Sequence, residues 1–132
     1  MYLIINLGLK SIRGIVFNEE GMQVYVASKP VYSKLFNNRV EQDALEWRSK
    51  LEDILHEISS IDHLRDNIEF ITSTTSSSCI YGMKYDGSPA TKVMMVSDKR
   101  AQLESDLVNE AISRNFSSLD INCPASSIIP KA

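Results

Sequence analysis

The sequence predicts an α/β fold in which three antiparallel strands are followed by a helix and by a strand parallel to the first. Three observations predict it. Three short runs rich in Ile, Val and Tyr follow one another, a long segment then repeats apolar residues at helical spacing, and a further apolar run comes after that segment. A helix between two strands can return the chain in a parallel crossover. The 132 residues are 43% hydrophobic, which is enough for one core.

The first three strands are predicted at Tyr2–Leu7, 12–18 and 22–28. The turns between them, at 8–10 and 19–21, are too short for anything but an antiparallel meander. In the second strand both alternating sets of positions carry apolar groups, which is typical of a sheet covered on both faces.

A helix is predicted over residues 43–61 and a strand over 68–73. The helix has one apolar stripe, formed by Trp47, Leu51, Ile54, Leu55 and Ile58. Asp43 is predicted to cap its first turn, and Glu46 to complete a capping box. The strand that follows is predicted to join the same sheet in parallel.

The rest of the chain is predicted as a loop at 30–39, a hairpin, a second helix and a turn-rich tail from Phe116. The hairpin strands, 79–85 and 92–96, flank Asp86-Gly87-Ser88-Pro89. Asp98 or Ser97 is expected to cap the second helix. The inner face of that helix is predicted to consist of Ala101, Leu107, Val108, Ala111 and Ile112.

Composition excludes several classes of protein. The net charge is −3 and the pI about 5.4, with no basic block, so the electrostatic footprint of a nucleic-acid binder is missing. No signal peptide is expected, and no apolar run reaches the roughly 20 residues of a membrane-spanning helix. Cys79 and Cys123 form no CxxC pair, so we expect two reduced thiols in a cytoplasmic protein.

The predicted strand order describes half of a ribonuclease-H-like or actin-like ATPase domain, in which the first hairpin turn offers backbone amides to a nucleotide. Here that turn is Asn6-Leu7-Gly8-Leu9-Lys10-Ser11. A tight glycine-containing turn can converge its amide hydrogens on an anion. Most such turns are only turns, so the residues of this segment leave both interpretations open.

Other candidate functional residues can also be explained without a functional role. His56 and His63 lack a third ligand, so solvent-exposed histidines are favoured over a metal site. The Ser/Thr run at 72–78 is either a hydroxyl-rich sugar surface or a polar strand edge. Cys79 has no neighbouring histidine or basic residue, which argues against a nucleophile.

Several stretches together resemble the FGGY family of carbohydrate kinases, in order and in spacing. Residues 5–21 resemble the family's Asp-x-Gly-Thr-Thr-Ser-x-Arg turn and Val-Phe-Asp-x-x-Gly hairpin. Residues 40–47 resemble its Val-Glu-Gln-Asp-Pro-x-x-Trp signature, the most specific match. Residues 71–89 resemble its Thr-Gly-Gln strand and Asp-x-x-Gly-x-Pro hairpin, and 97–101 its Trp-x-Asp-x-Arg helix start. Pro130-Lys131 resembles the Pro-Lys step before a further helix.

The resemblance implies ATP-dependent phosphorylation of a sugar or polyol hydroxyl, with ATP and Mg²⁺ as cofactors. Carried over by position, Gly8, Ser11 and Arg13 would face the phosphates. Asn6 stands where the family has the acidic residue that orients hydrated Mg²⁺, and a neutral amide is a poorer partner for that cation. Lys10 would add a positive charge, although it and Leu9 replace two threonines and remove two hydroxyls.

The sugar-facing positions also depart from the family's pattern. Thr74, Thr75 and Ser76 stand where the family has Gln followed by larger polar or charged residues, and Val96 stands where a tryptophan often lines the sugar. By the resemblance these four residues would contact the substrate. No residue can be given the role of the proton-accepting aspartate, so no catalytic residue is assigned.

The resemblance implies that residues 1–132 are the N-terminal, sugar-binding domain of such a kinase, truncated and without the ATP-binding second domain. We expect feeble nucleotide binding and no turnover from this chain alone. The alternative is a non-catalytic, kinase-like module for sugar sensing or partner binding. A third hypothesis is another actin-like protein that assembles or acts in cell division. A partly uncovered sheet predicts a homodimer or poor solubility.

Overall fold

The computed structural model describes residues 1–116, 118 and 120–132. They form two compact units: unit 1 comprises Met1–Tyr32 and Asp43–Ser76, and unit 2 comprises Ser33–Gln42 and Ser77–Ala132. The elements are β1 (Tyr2–Leu7), β2 (Ser11–Phe17), β3 (Gln23–Pro30), β4 (Lys34–Phe36), β5 (Arg39–Gln42), α1 (Ala44–Ser59), α2 (Asp62–Arg65), β6 (Phe70–Thr75), β7 (Val93–Met94), α3 (Gln102–Asn115) and α4 (Ile128–Lys131).

Unit 1 contains a four-stranded mixed sheet in the order β3-β2-β1-β6. β1 and β2 pair antiparallel, as do β2 and β3, while β6 pairs parallel with β1. The predicted meander and the parallel return after a helix are therefore confirmed. The α/β class is confirmed with them.

Helix α1 packs on one face of this sheet. Its first turn is capped as predicted, because the Asp43 carboxylate accepts a hydrogen bond of 2.9 Å from the Leu45 amide. Ile54 and Ile58 are the buried residues of the helix, and Trp47 packs partly buried against the core. The buried core of unit 1 consists of Leu3, Ile12, Val16, Ala27, Val31, Ile54, Ile58 and Leu64.

The opposite face of the sheet is less covered than the sequence predicted. Tyr2, Val26 and Phe70 are exposed on it, and the rings of Tyr2 and Phe70 stack at 5.6 Å between centroids. The sequence predicted that both faces of the sheet are covered, because both alternating sets of positions in β2 carry apolar groups. Ile15 and Phe17, on the less covered face, are half-buried.

Unit 2 contains a three-stranded sheet in the order β4-β5-β7. The segment 30–39, predicted as a loop, therefore contains β4 and the start of β5. The predicted hairpin strands are reduced to β7 and two isolated bridges, Ile80 with Met94 and Met83 with Pro89. The turn itself is formed as predicted, since the Lys84 amide donates to the Ser88 carbonyl and Gly87 takes the left-handed conformation with φ 81°.

The predicted start of the second helix is wrong, and its predicted inner face is right only in part: Ala101 is buried and Val108 and Ile112 are half-buried, whereas Ala111 is exposed. Helix α3 begins after Ala101, and its N-terminus has no side-chain cap. Its buried residue is Ser105, whose hydroxyl donates to the Cys123 carbonyl at 2.6 Å, whereas Leu107 is exposed. A polar contact with the following segment thus replaces part of the predicted apolar face.

The tail is partly described. Ser117 and Leu119, within the predicted turn-rich segment, lie outside the described residues. Helix α4 was not predicted, and its last residue, Lys131, is buried. Cys79 and Cys123 are both free thiols. No described helix is long and apolar enough to cross a membrane.

Candidate functional site

Asn6, Arg13 and Thr74 lie side by side at one end of the sheet of unit 1. Asn6 on β1 is paired with Arg13 on β2 and with Thr74 on β6. Directly paired residues project to the same face of a sheet, so the three side chains share one surface. Asn6 is half-buried, while Arg13 and Thr74 are exposed. The fold thus brings a residue predicted to contact sugar beside two predicted to contact Mg²⁺ or phosphate.

The turn after β1 requires a glycine at its first position. The Gly8 amide donates a hydrogen bond of 3.0 Å to the Ser11 carbonyl. A β-carbon at position 8 would stand 2.9 Å from that same oxygen and 3.2 Å from Oδ1 of Asn6. The close turn therefore depends on Gly8 having no side chain, and the Gly8 amide hydrogen points back into the turn.

The basic groups near this turn differ in their surroundings. Arg13 donates from Nε to the Ser11 hydroxyl at 3.0 Å, which orients the guanidinium along the sheet surface. Lys10 is exposed at the tip of the turn, and its carbonyl accepts a hydrogen bond from the Val31 amide. Two positive charges thus lie within three residues of each other in sequence, and Arg13 is the one that is paired with the half-buried Asn6.

The other predicted sugar-facing residues do not all join this surface. Thr75 lies on the opposite face from Thr74, where its hydroxyl donates to the Leu7 carbonyl at 3.4 Å. Ser76 follows the end of β6 and is half-buried. Val96 belongs to unit 2, where it follows β7 and is half-buried. The sequence could not separate Thr74 from Thr75, because both carry the same group and only the register assigns their faces.

Two sequence motifs that the resemblance singled out separately form one charged cluster in unit 2. Arg100 donates to Asp98 at 2.6 Å and to Glu41 at 2.6 Å. Asp98 is fully buried and also accepts the Val40 amide at 2.8 Å. The signature at 40–43 and the Asp-x-Arg step therefore meet in space, and the cluster ties β5 to the segment before α3.

The electrostatics of this cluster favour its charged form. Burial by itself would raise the pKa of Asp98, but the hydrogen bonds from Arg100 and Val40 outweigh it and hold the pKa at about 2. The same contact with Asp98 raises the pKa of Arg100. Asp98 and Arg100 thus favour the charged forms that pair with each other, and we assign the cluster a structural role.

Metal-binding groups are sparse in the structure. Among residues 1–116, 118 and 120–132, no group of three or more His, Cys, Asp or Glu side chains could hold a metal ion. His56 and His63 are both exposed. Asn6 is thus the one predicted metal contact, and it offers a neutral amide.

The backbone is similar to those of sugar kinases of known structure. A xylulose kinase from Brucella ovis aligns with 98% of this chain and 28% of its own, at a TM-score of 0.83 and 15% identity. A xylulose kinase from Rhodospirillum rubrum aligns with 96% of this chain and 32% of its own, at 0.75 and 16%. A Plasmodium falciparum glycerol kinase with ADP aligns with 89% and 24%, at 0.66 and 20%.

The chain has the fold of these carbohydrate kinases. The predicted ribonuclease-H-like, actin-like ATPase fold is thereby confirmed. At such identities the likeness shows the fold alone. The chain spans 24% to 32% of the length of these kinases. No family model and no curated protein matches the sequence.

Proposed function

We propose that the chain is the N-terminal, sugar-binding part of an FGGY-type carbohydrate kinase that transfers the γ-phosphate of ATP to a sugar or polyol hydroxyl. In this proposal residues 1–132 do not turn over alone, because the ATP-binding second domain and the proton-accepting aspartate belong to the rest of such a kinase. The protein would work in the cytoplasm.

One observation carries the proposal: Asn6, Arg13 and Thr74 share one end of one sheet face, beside the turn that Gly8 makes possible. Phosphoryl transfer depends mainly on positioning and on neutralising negative charge. Arg13 and Lys10 supply positive charge for phosphate, and the Thr74 hydroxyl can hydrogen-bond a sugar hydroxyl. The surface therefore combines both kinds of contact that such a kinase needs.

The two cofactors fit this surface unequally. Arg13 and Lys10 suit the phosphates of ATP. Mg²⁺ prefers carboxylate and water oxygens, whereas Asn6 offers a neutral amide oxygen and its paired neighbour Thr74 offers an uncharged hydroxyl. The described residues therefore do not fit Mg²⁺ as a tightly held ion.

The first test uses matched variants on opposite faces of β6. The 132-residue chain is titrated with D-xylulose while its amide NMR signals are followed. Thr74→Val is expected to weaken binding roughly tenfold, since an unpaired sugar hydroxyl is costly. Thr75→Val removes the same hydroxyl from the other face and is expected to leave binding unchanged. Equal effects of the two variants, or no xylulose binding by the wild type, would contradict the proposed site.

The second test addresses the phosphate contacts. Titration with ADP is expected to give weak binding that Arg13→Gln reduces, whereas Arg39→Gln, an exposed arginine of β5, serves as the control. Equal loss in both variants would indicate non-specific attraction. Sugar-dependent consumption of ATP by the 132-residue chain would refute the proposal that it is inactive alone.

A non-catalytic sugar-sensing or partner-binding module is the second candidate. Two observations favour it: Asn6 is neutral, and the Gly8 amide is already bonded to Ser11. Both weaken the nucleotide contacts and leave Thr74 untouched. Xylulose binding without any ADP binding would favour this candidate over the kinase.

A further inference from the structure

Lys131, the last residue of α4, carries an ammonium group that unit 2 encloses in main-chain oxygens. Its Nζ donates to the carbonyls of Met95 and Ser126 at 2.8 Å each. The carbonyls of Ser78 and Val96 lie at 3.2 and 3.3 Å. The residue is only 8% exposed. One side chain thus contacts three segments that are far apart in sequence.

An enclosed ammonium is costly unless its hydrogens are bonded, and here they are. Burial lowers the pKa of the Lys131 ammonium, and the Asp98 carboxylate opposes that effect. The ammonium has three N–H donors and no acceptor, so two short bonds and a third donor shared between two longer contacts use all of them. Carbonyl oxygens carry a fixed partial negative charge, which suits a cation.

Two of the four carbonyls belong to residues whose backbone conformation needs support from the surroundings, Ser78 and Val96. Ser78 has φ 62°, the left-handed conformation that a residue other than glycine rarely adopts. It comes two residues after Ser76. Val96 is the position predicted to line the sugar, and it follows the short strand β7. Such a backbone holds its shape only where its surroundings determine it.

We propose that Lys131 is a positioning residue, which fixes the main chain at Val96 and at the left-handed Ser78 through its ammonium. In doing so it shapes the sugar-facing part of unit 2. This role in sugar binding rests on the proposed function, because Val96 contacts a sugar only if that function is right. The proposal that Lys131 fixes the main chain at Ser78 and Val96 concerns the backbone alone and is tested separately.

The backbone test compares Lys131→Met with Lys84→Met, which removes an exposed lysine from the hairpin turn. Carbonyl-carbon chemical shifts and amide hydrogen exchange are measured in the 132-residue chain. Changes in Lys131→Met are expected to centre on the carbonyls of Ser78, Met95, Val96 and Ser126, and Lys84→Met is expected to leave them as they are. Wild-type shifts at Ser78 and Val96 in Lys131→Met would overturn the proposal.

A chemical-rescue test covers the case in which Lys131→Met does not fold. Lys131→Ala is mixed with propylammonium, which can donate three hydrogen bonds, or with tetramethylammonium, which has the same charge and no N–H. Propylammonium is expected to restore the wild-type carbonyl shifts and thermal midpoint, and tetramethylammonium is expected to have no effect. Equal rescue by both ions, or rescue by neither, would overturn the proposal.

The effect of Lys131 on sugar binding is tested by measuring the affinity for D-xylulose. Lys131→Met is expected to bind D-xylulose roughly tenfold more weakly than the wild type, as displaced binding groups lose contacts. Lys131→Arg, which keeps a hydrogen-bonding cation, should bind closer to the wild type. Unchanged xylulose binding despite shifted carbonyls would overturn the sugar role. A wild type that binds no xylulose would refute the proposed function, and the carbonyl shifts would still decide whether Lys131 fixes Val96.

Discussion

Gly14 on β2 lies so close beneath Ile54 of α1 that a β-carbon at position 14 would stand 2.7 Å from Cγ2 of Ile54. Cδ1 of Ile58 would be equally near. Real β-carbons almost never approach another atom this closely. Helix α1 can therefore pack on the sheet in this position only because residue 14 has no side chain. The contact fixes how the sheet that carries Asn6 and Arg13 meets α1.

Gly14→Ala is therefore expected to destabilise the chain. Overpacking a close-packed core costs about 1–3 kcal/mol, and urea denaturation should show that loss in the free energy of unfolding. Gly82→Ala is the control, since its β-carbon would meet Thr91 at an ordinary 3.5 Å. A loss as large in the control, or none in Gly14→Ala, would contradict the packing argument.

The ion pair of buried Asp98 with half-buried Arg100 predicts a pH dependence of stability. The pKa of Asp98 is held at about 2, below the usual value of a free carboxyl. Such a group stabilises the fold fully above its unfolded pKa, and the stabilisation is lost as the pH falls towards about 2. Asp98→Asn should therefore cost about 2 kcal/mol at neutral pH.

The difference between Asp98→Asn and the wild type should shrink as the pH falls from about 5 towards 2. Urea denaturation at several pH values measures it. Asp106→Asn, which changes an exposed aspartate of α3, is the control and should show no such trend. A pH-independent difference in Asp98→Asn would mean that its effect is steric rather than electrostatic.

Local pattern predicted unit 1 well, because its elements follow one another along the chain. The short turns at 8–10 and 19–21 determined the meander, and the stripe from Trp47 to Ile58 determined α1. The crossover rule then gave the parallel pairing of β6 with β1. The meander and the helix depend on residues close together in sequence, and the parallel pairing follows from the order of these elements along the chain.

Unit 2 was predicted less well, because its structure rests on contacts between distant residues. Asp98 had the residue type of a helix cap, yet Arg100 and the Val40 amide hold its carboxylate. Lys131 would ordinarily be exposed, and only the fold shows that four carbonyls enclose it. Likewise, Ser105 is buried because Cys123 accepts its hydroxyl.

Asn6→Asp is expected to make nucleotide binding depend on Mg²⁺. A carboxylate at this position would give the cation the hard, charged oxygen that Asn6 lacks. Affinity for ADP in the presence of Mg²⁺ should rise roughly tenfold, as judged by calorimetric titration, and chelation by EDTA should remove the gain. Asn38→Asp introduces the same charge at an exposed site of unit 2 and should give no gain. A gain that survives EDTA would contradict the prediction.

The exposed strand β6 predicts self-association. Phe70 and Ile71 are 59% and 64% exposed, and no charged residue occurs from Phe70 to Ser78. Ile71 also lines a groove of about 500 Å³ whose apolar lining includes Leu3, Leu55, Ile58 and Ile68, and which His56, Ser59 and Arg65 line as well. Native edge strands usually carry charges or bulges that prevent pairing with another chain, and β6 has no charge.

Ile71→Lys is therefore expected to convert a concentration-dependent oligomer into a monomer, because a new charge on the exposed edge strand must be desolvated on association. Size-exclusion chromatography with light scattering over a range of concentrations measures the molar mass. Leu107→Lys is the matched control, since Leu107 is 66% exposed on α3. If Leu107→Lys dissociates the oligomer and Ile71→Lys does not, association runs through α3 instead. A wild type that stays monomeric at every concentration would contradict self-association through β6.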